Sequence, residues 1–159
     1  ALRQAISNLV AMRETEGSNI YGDFIKRADL IAEKLAVIEE RSPQVVEEYQ
    51  IRLSDRINEL LAKHNQVIEP ERLLQEVAIF ADRTSITEEI VRLKSHIKQF
   101  KLIIDADQPV GRKLDFLIQE FNREANTIAS KANDYTLAQV VVEIKAEIEK
   151  IREQIQNIE

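Results

Sequence analysis

The residues best suited to chemistry are acids, amides, arginines and a histidine set at helical spacing. The densest group lies in "GRKLDFLIQEFNREANTIASK", residues 111–131. Turning about 100° per residue puts Leu114, Leu117, Ile118, Phe121, Ala125, Ile128 and Ala129 on one apolar face. A neighbouring arc holds Asp115, Gln119, Asn122, Asn126 and Ser130, with Arg112 and Arg123. Asn and Asp are mediocre helix formers, and a plain solvent face has little reason to repeat them. On a rigid helix their short side chains offer many donors and acceptors, which suits a polar ligand or a water network. An interhelical hydrogen-bond network or a subunit interface would satisfy the same groups equally well.

Three further stripes could meet this arc. Arg72, Glu76 and Arg83 share one side of a helix beside Phe80, with Asp82 on another side. Glu89, Arg92 and His96 flank the apolar line Ile90, Leu93, Ile97 and Phe100. Glu143, Glu147, Lys150, Gln154 and Asn157 line the last segment. Each stripe taken alone is more often an intrahelical salt-bridge ladder than a site. Their joint chemistry is that of oxygen ligands for a hard divalent cation, Mg²⁺ or Mn²⁺, which activates water for phosphodiester cleavage. Glu120 with Glu124, or Glu143 with Glu147, have the i, i+4 spacing for shared ligation. A histidine acid/base pair is the other route to RNA cleavage. The chain has two histidines, His64 and His96; His64 falls at a helix end where C-capping is the simpler role, and His96, beside Arg92 and Glu89, is the better candidate. No phosphate-binding glycine loop, nucleophile elbow or HExxH pattern occurs, so nucleotide-hydrolase and serine-hydrolase readings have no support.

The elements that must carry these residues follow from composition. Of 159 residues, only three are Gly and three Pro, against 44% hydrophobic and 31% charged. So little turn chemistry excludes a many-stranded sheet or a dinucleotide-binding loop and predicts an all-α fold, an elongated helical bundle. Without cysteine there is no disulfide, thiolate zinc site or cysteine nucleophile, which is compatible with a cytoplasmic protein. The longest apolar run is Val77 to Ala81, far short of a membrane span. The net charge of −6 argues against a general nucleic-acid clamp but allows a local basic stripe.

Apolar positions from Leu2 through Ile6, Leu9, Met12, Ile20, Phe24, Ala28, Ile31, Leu35 and Ile38 predict one long helix or two stacked end to end. Ser42-Pro43 reads as the start of a second long helix reaching about His64, the two forming an antiparallel hairpin. Residues 1–68 are therefore expected to be a hairpin for oligomerisation or for a link to a missing N-terminal domain, and residues 69–159 a second helical domain. That second part should hold helices over about 70–83, 87–105 and 110–132, a turn at Asn133-Asp134, and a last helix from about Thr136. The chain opens at Ala1 in mid-pattern, as expected of a fragment. An exposed apolar stripe on the hairpin predicts at least a dimer.

These residues resemble the C-terminal half of the YicC/YloC family of bacterial stress-associated proteins. The segments that carry the resemblance are "MRETEG" from Met12, "QEVAIFADR" from Gln75, "EEIVRLKSHIKQF" from Glu88, the 111–131 segment and "EIKAEIEKIREQIQNIE" from Glu143. The resemblance implies a metal-dependent endoribonuclease acting on single-stranded RNA, with a role in small-RNA turnover, and a hexameric homo-oligomer. Taken with the stripes, it makes Glu76, Asp82, Asp115 and Glu120 candidate acids, with Glu76, Asp115 and Glu120 as metal ligands. Arg83, Arg92, Arg112 and Arg123 become candidate phosphate contacts, and His96, Gln119, Asn122 and Asn126 orienting groups. The family's further N-terminal half is absent from this chain, and a cleft built partly from it would be incomplete. The competing expectation is a non-catalytic oligomerisation or RNA-scaffold module whose chemistry lies in that half.

Overall fold

A computed structural model describes residues 2–63, 69–106 and 110–156. Among them are five helices and no strand: α1 (Leu2–Ala62), α2 (Pro70–Thr84), α3 (Thr87–Ile104), α4 (Gly111–Lys131) and α5 (Tyr135–Ile155). The reading of His64 falls outside the described residues.

Helices α1, α3, α4 and α5 form a closed ring, with α1 packing on α3 and α5 and α4 lying between α3 and α5. One core fills that ring. Phe24, Ala28, Ile31, Leu35, Ile38 and Val45 come from α1 and Ile90, Leu93, Ile97 and Phe100 from α3. The remainder comes chiefly from Leu114, Leu117, Ile118, Phe121, Ala125 and Ile128 of α4 and from the line Leu137 to Ile155 of α5. This is the three-to-four-residue stripe that each helix must hide from water. Phe100 is its hub, edge-on to Phe24 with ring centroids 5.6 Å apart and tilted against Phe121 at 5.8 Å.

The expected helix start at Ser42-Pro43 is absent, because α1 runs straight through Pro43 for 61 residues, about 90 Å at 1.5 Å per residue. An interior proline costs roughly 3 kcal/mol through a lost hydrogen bond and a clash with the preceding turn. Here Pro43 and Glu39 are both exposed, so water can serve the carbonyl that loses its donor. Val45 stays in phase with Ile38 and is buried, and that burial offsets the cost. The helix that packs along this part of α1 is α2, with Phe80 stacked on Tyr49 at 3.7 Å. The core, meanwhile, draws on residues from both sides of position 68.

Neither Ser85 nor Thr87 caps α3, whose N-cap is Ile86 without a side-chain bond. The turn at 133–134 is as expected. Asn133 adopts a left-handed φ of 44°, which Asn tolerates better than most residues. Asp134 then caps α5 by accepting from the Leu137 N–H at 2.9 Å and from Arg41 Nη2 at 2.9 Å. The Arg41 guanidinium and the Leu137 N–H hold the Asp134 carboxyl below its ordinary range. A depressed carboxyl adds stability that is complete above the unfolded value near 4 and disappears as pH falls through the folded one. Asp134→Ala should therefore cost about 1–2 kcal/mol at pH 7. Urea midpoints should also show less loss between neutral and acid pH in the variant than in wild type.

Candidate metal centre on the α3/α4 seam

Helix α4 is flanked differently by its two neighbours, and this divides the polar residues of its sequence. On the α3 side are Glu120 and Glu124, one turn apart. On the α5 side are Asn122 and Asn126, with Arg123 further out. His96 of α3 completes the first group. Its ring, Glu120 and Glu124 each present a ligand atom within 4.8 Å of the others.

Two properties separate this trio from an ordinary surface ladder. Glu124 is only 3% exposed, and its one ion-pair partner among the described residues is Arg92 Nη1, 3.9 Å away. That is too long for a hydrogen bond, and a carboxylate so buried normally has close donors. In addition, His96 Nδ1 is shielded from solvent without a hydrogen-bond partner, leaving an imidazole lone pair to offer where the ring is neutral. A buried acid with no close donor among the described residues, beside an imidazole that has an unpartnered nitrogen, is what a cation would satisfy. Glu120 itself is partly exposed. The donor set of one nitrogen and two carboxylates suits Mn²⁺ better than Mg²⁺, which prefers oxygen ligands in strict octahedral order.

Around the trio the charges are already engaged. Arg92 Nη2 donates to Glu88 at 2.7 Å, and Arg123 Nη1 lies 3.6 Å from Glu120 Oε2. Along the same seam Lys131 donates to the buried Glu89 at 2.7 Å. Burial pushes the Glu89 carboxyl up, but Lys131, its backbone bond and Arg92 outweigh that and leave it below its ordinary value.

The other expected acids lie apart from this centre. Glu76, Asp82 and Arg83 are exposed on α2, which packs on α1. Asp115 sits on the α5-side flank of α4, accepting from Gln119 Nε2 at 2.9 Å. Arg112 is exposed at the start of α4. Of the carboxylates expected to share an ion, the structure thus brings together the Glu120 and Glu124 pair, joined by His96, and leaves Glu76 and Asp115 apart from it. The Glu143/Glu147 alternative is taken up by ion pairs: Glu143 with Lys34, and Glu147 with Arg27 at 2.8 Å and Lys150 at 2.6 Å.

Residues 38–159 match the family described as endoribonuclease YicC-like, C-terminal. The chain belongs to this YicC-like family. It is 53% identical, over all 159 residues, to the probable endoribonuclease YicC of Clostridioides difficile (strain 630), of which it spans 54%. It is 37% identical over the same 159 residues to the probable endoribonuclease YicC of Haemophilus influenzae, again spanning 54%. The chain thus covers about half the length of these YicC relatives, and the His96, Glu120 and Glu124 cluster lies inside the YicC-like match. Among the described residues no helix is long and apolar enough to cross a membrane.

Proposed function

We propose that this chain is the metal-binding half of an endoribonuclease that hydrolyses phosphodiester bonds in single-stranded RNA, with Mn²⁺ preferred over Mg²⁺. The observation that carries the reading is the convergence of His96, Glu120 and the buried Glu124 on one point, inside a segment shared with relatives named probable endoribonuclease. A divalent ion bound there would supply Lewis-acid polarisation of a phosphoryl oxygen and acidification of water. The chain's own residues provide the setting. Glu124 and His96 are fixed by the α3/α4 packing, Glu120 stands at the rim, and Arg92 and Arg123 carry positive charge to each side for the scissile phosphate. By resemblance, the biological setting is small-RNA turnover under stress, in the cytoplasm.

The test is a gel assay of a short RNA with a single-stranded region, incubated with this chain and with the longer protein, each with Mn²⁺, Mg²⁺ or excess chelator. Cleavage is expected with Mn²⁺, more slowly with Mg²⁺, and not with chelator. Cleavage that persists in chelator would overturn the metal assignment. Cutting by the longer protein alone would place part of the catalytic apparatus in the half absent here.

A homo-oligomer is part of the same reading. Residues 2–19 of α1 are exposed throughout, and Leu2, Ile6, Leu9 and Met12 form an apolar line beyond the bundle. Contiguous apolar surface of this kind is rare on monomers. Light scattering at tens of micromolar should give at least a dimer, with a hexamer expected from the family resemblance; a monomer would count against it.

A further inference from the structure

On the α5 side of α4 lies a shallow groove of about 540 Å³, within the size range of small-ligand sites. Ile118 forms its floor, Asn122, Arg123 and Asn126 one wall, and Arg152 of α5 the other. We infer that this groove seats a stretch of single-stranded RNA, with backbone phosphate between Arg123 and Arg152 and sugar and base edges against Asn122 and Asn126. The inference rests on the endoribonuclease reading and extends it to the place and residues of substrate binding.

Three observations carry it. The groove's lining holds two arginines and no carboxylate, in a chain whose net charge is −6. Local positive charge against that background is what an anionic backbone needs. Both arginines are easily released: Arg123 and Arg152 lie 3.6 Å from Glu120 and Glu149, respectively, and are well exposed, and exposed pairs of this kind are weak. Asn122 and Asn126, one turn apart on α4, have no intramolecular hydrogen-bond partner among the described residues. Each amide can donate and accept at once, as base and ribose edges require, whereas a mere salt-bridge ladder has no use for them.

The groove also adjoins the metal centre through one shared residue. Arg123, which is placed to grip phosphate, is the neighbour of Glu120. A phosphate that draws Arg123 away releases the Glu120 carboxylate to the cation, so RNA and Mn²⁺ should each tighten the binding of the other, as linkage demands.

The experiment follows a fluorescein-labelled 12-nucleotide single-stranded RNA by anisotropy, with and without Mn²⁺, using this chain and its Arg152→Gln and Asn126→Ala variants. Mn²⁺ binding is measured in parallel by calorimetry. We expect Arg152→Gln to weaken RNA binding severalfold at low salt and to reduce the slope of log K against log salt by about 0.7, with Mn²⁺ binding in the absence of RNA unchanged. Asn126→Ala should weaken RNA but not polyphosphate. RNA binding that is absent, or equal in wild type and both variants, would overturn the inference while leaving Mn²⁺ binding to judge the centre separately. Loss of polyphosphate and RNA in parallel in both variants would also overturn it, by reducing the groove to a patch of charge. RNA binding that responds as stated in a chain that takes up no Mn²⁺ would support the groove and reject the metal centre.

Discussion

Replacing Glu124 by glutamine is expected to abolish tight Mn²⁺ binding and to lower RNA cleavage by the longer protein more than about 100-fold, since even residues that only orient metal ligands cost 10–100-fold when lost. The same variant should not be less stable than wild type when metal is chelated. A buried carboxylate whose nearest cation stands 3.9 Å away is a burden on the fold, and removing such a charge is often neutral or stabilising. Excess Mn²⁺ should reverse the order. At a concentration about 100 times its dissociation constant a ligand adds about 2.7 kcal/mol, so wild type gains that amount and Glu124→Gln gains almost none. Thermal melts in chelator and in Mn²⁺ read both arms. A Glu124→Gln protein that melts well below wild type in chelator would mean that the carboxylate serves the fold rather than an ion.

Phe100→Ala should be the most damaging core change. The ring is fully buried and touches Phe24 of α1 and Phe121 of α4, so it ties together three of the four helices in the ring. Truncating a buried Phe costs about 3–5 kcal/mol through lost transfer energy and the cavity left behind, against a total stability of about 5–15 kcal/mol for a typical domain. The urea midpoint should fall accordingly. Mn²⁺ affinity should fall with it, because His96 lies one turn before Phe100 on α3 and depends on the same packing for its position.

Where the sequence was readable, periodicity was the reason. The buried faces of α3, α4 and α5 follow from their apolar spacing, and only Ala129, expected on the α4 face, is exposed. The proline at position 43 misled because a local start signal competes with tertiary burial, and Val45 in the core outweighed it. For the site, the polar character of α4 was visible but its division was not. Asp115, Asn122 and Asn126 on one flank and Glu120 and Glu124 on the other are separated only by knowing that α5 packs on the first side and α3 on the second. Glu124 had one available signal, its position a turn after Glu120 at the edge of the apolar stripe. That position suits exposure equally well until α3 covers it. Arg152 stood outside the expected RNA contacts because nothing in the last helix marks which turn faces α4.

The most direct measurement is a calorimetric titration of Mn²⁺ into this chain and its His96→Ala, Glu120→Gln and Glu124→Gln variants. One ion per chain in wild type, with binding lost in His96→Ala and Glu124→Gln and weakened in Glu120→Gln, is the predicted result. No binding in wild type, or binding that all three substitutions leave intact, would contradict the assignment of the α3/α4 seam as the metal centre.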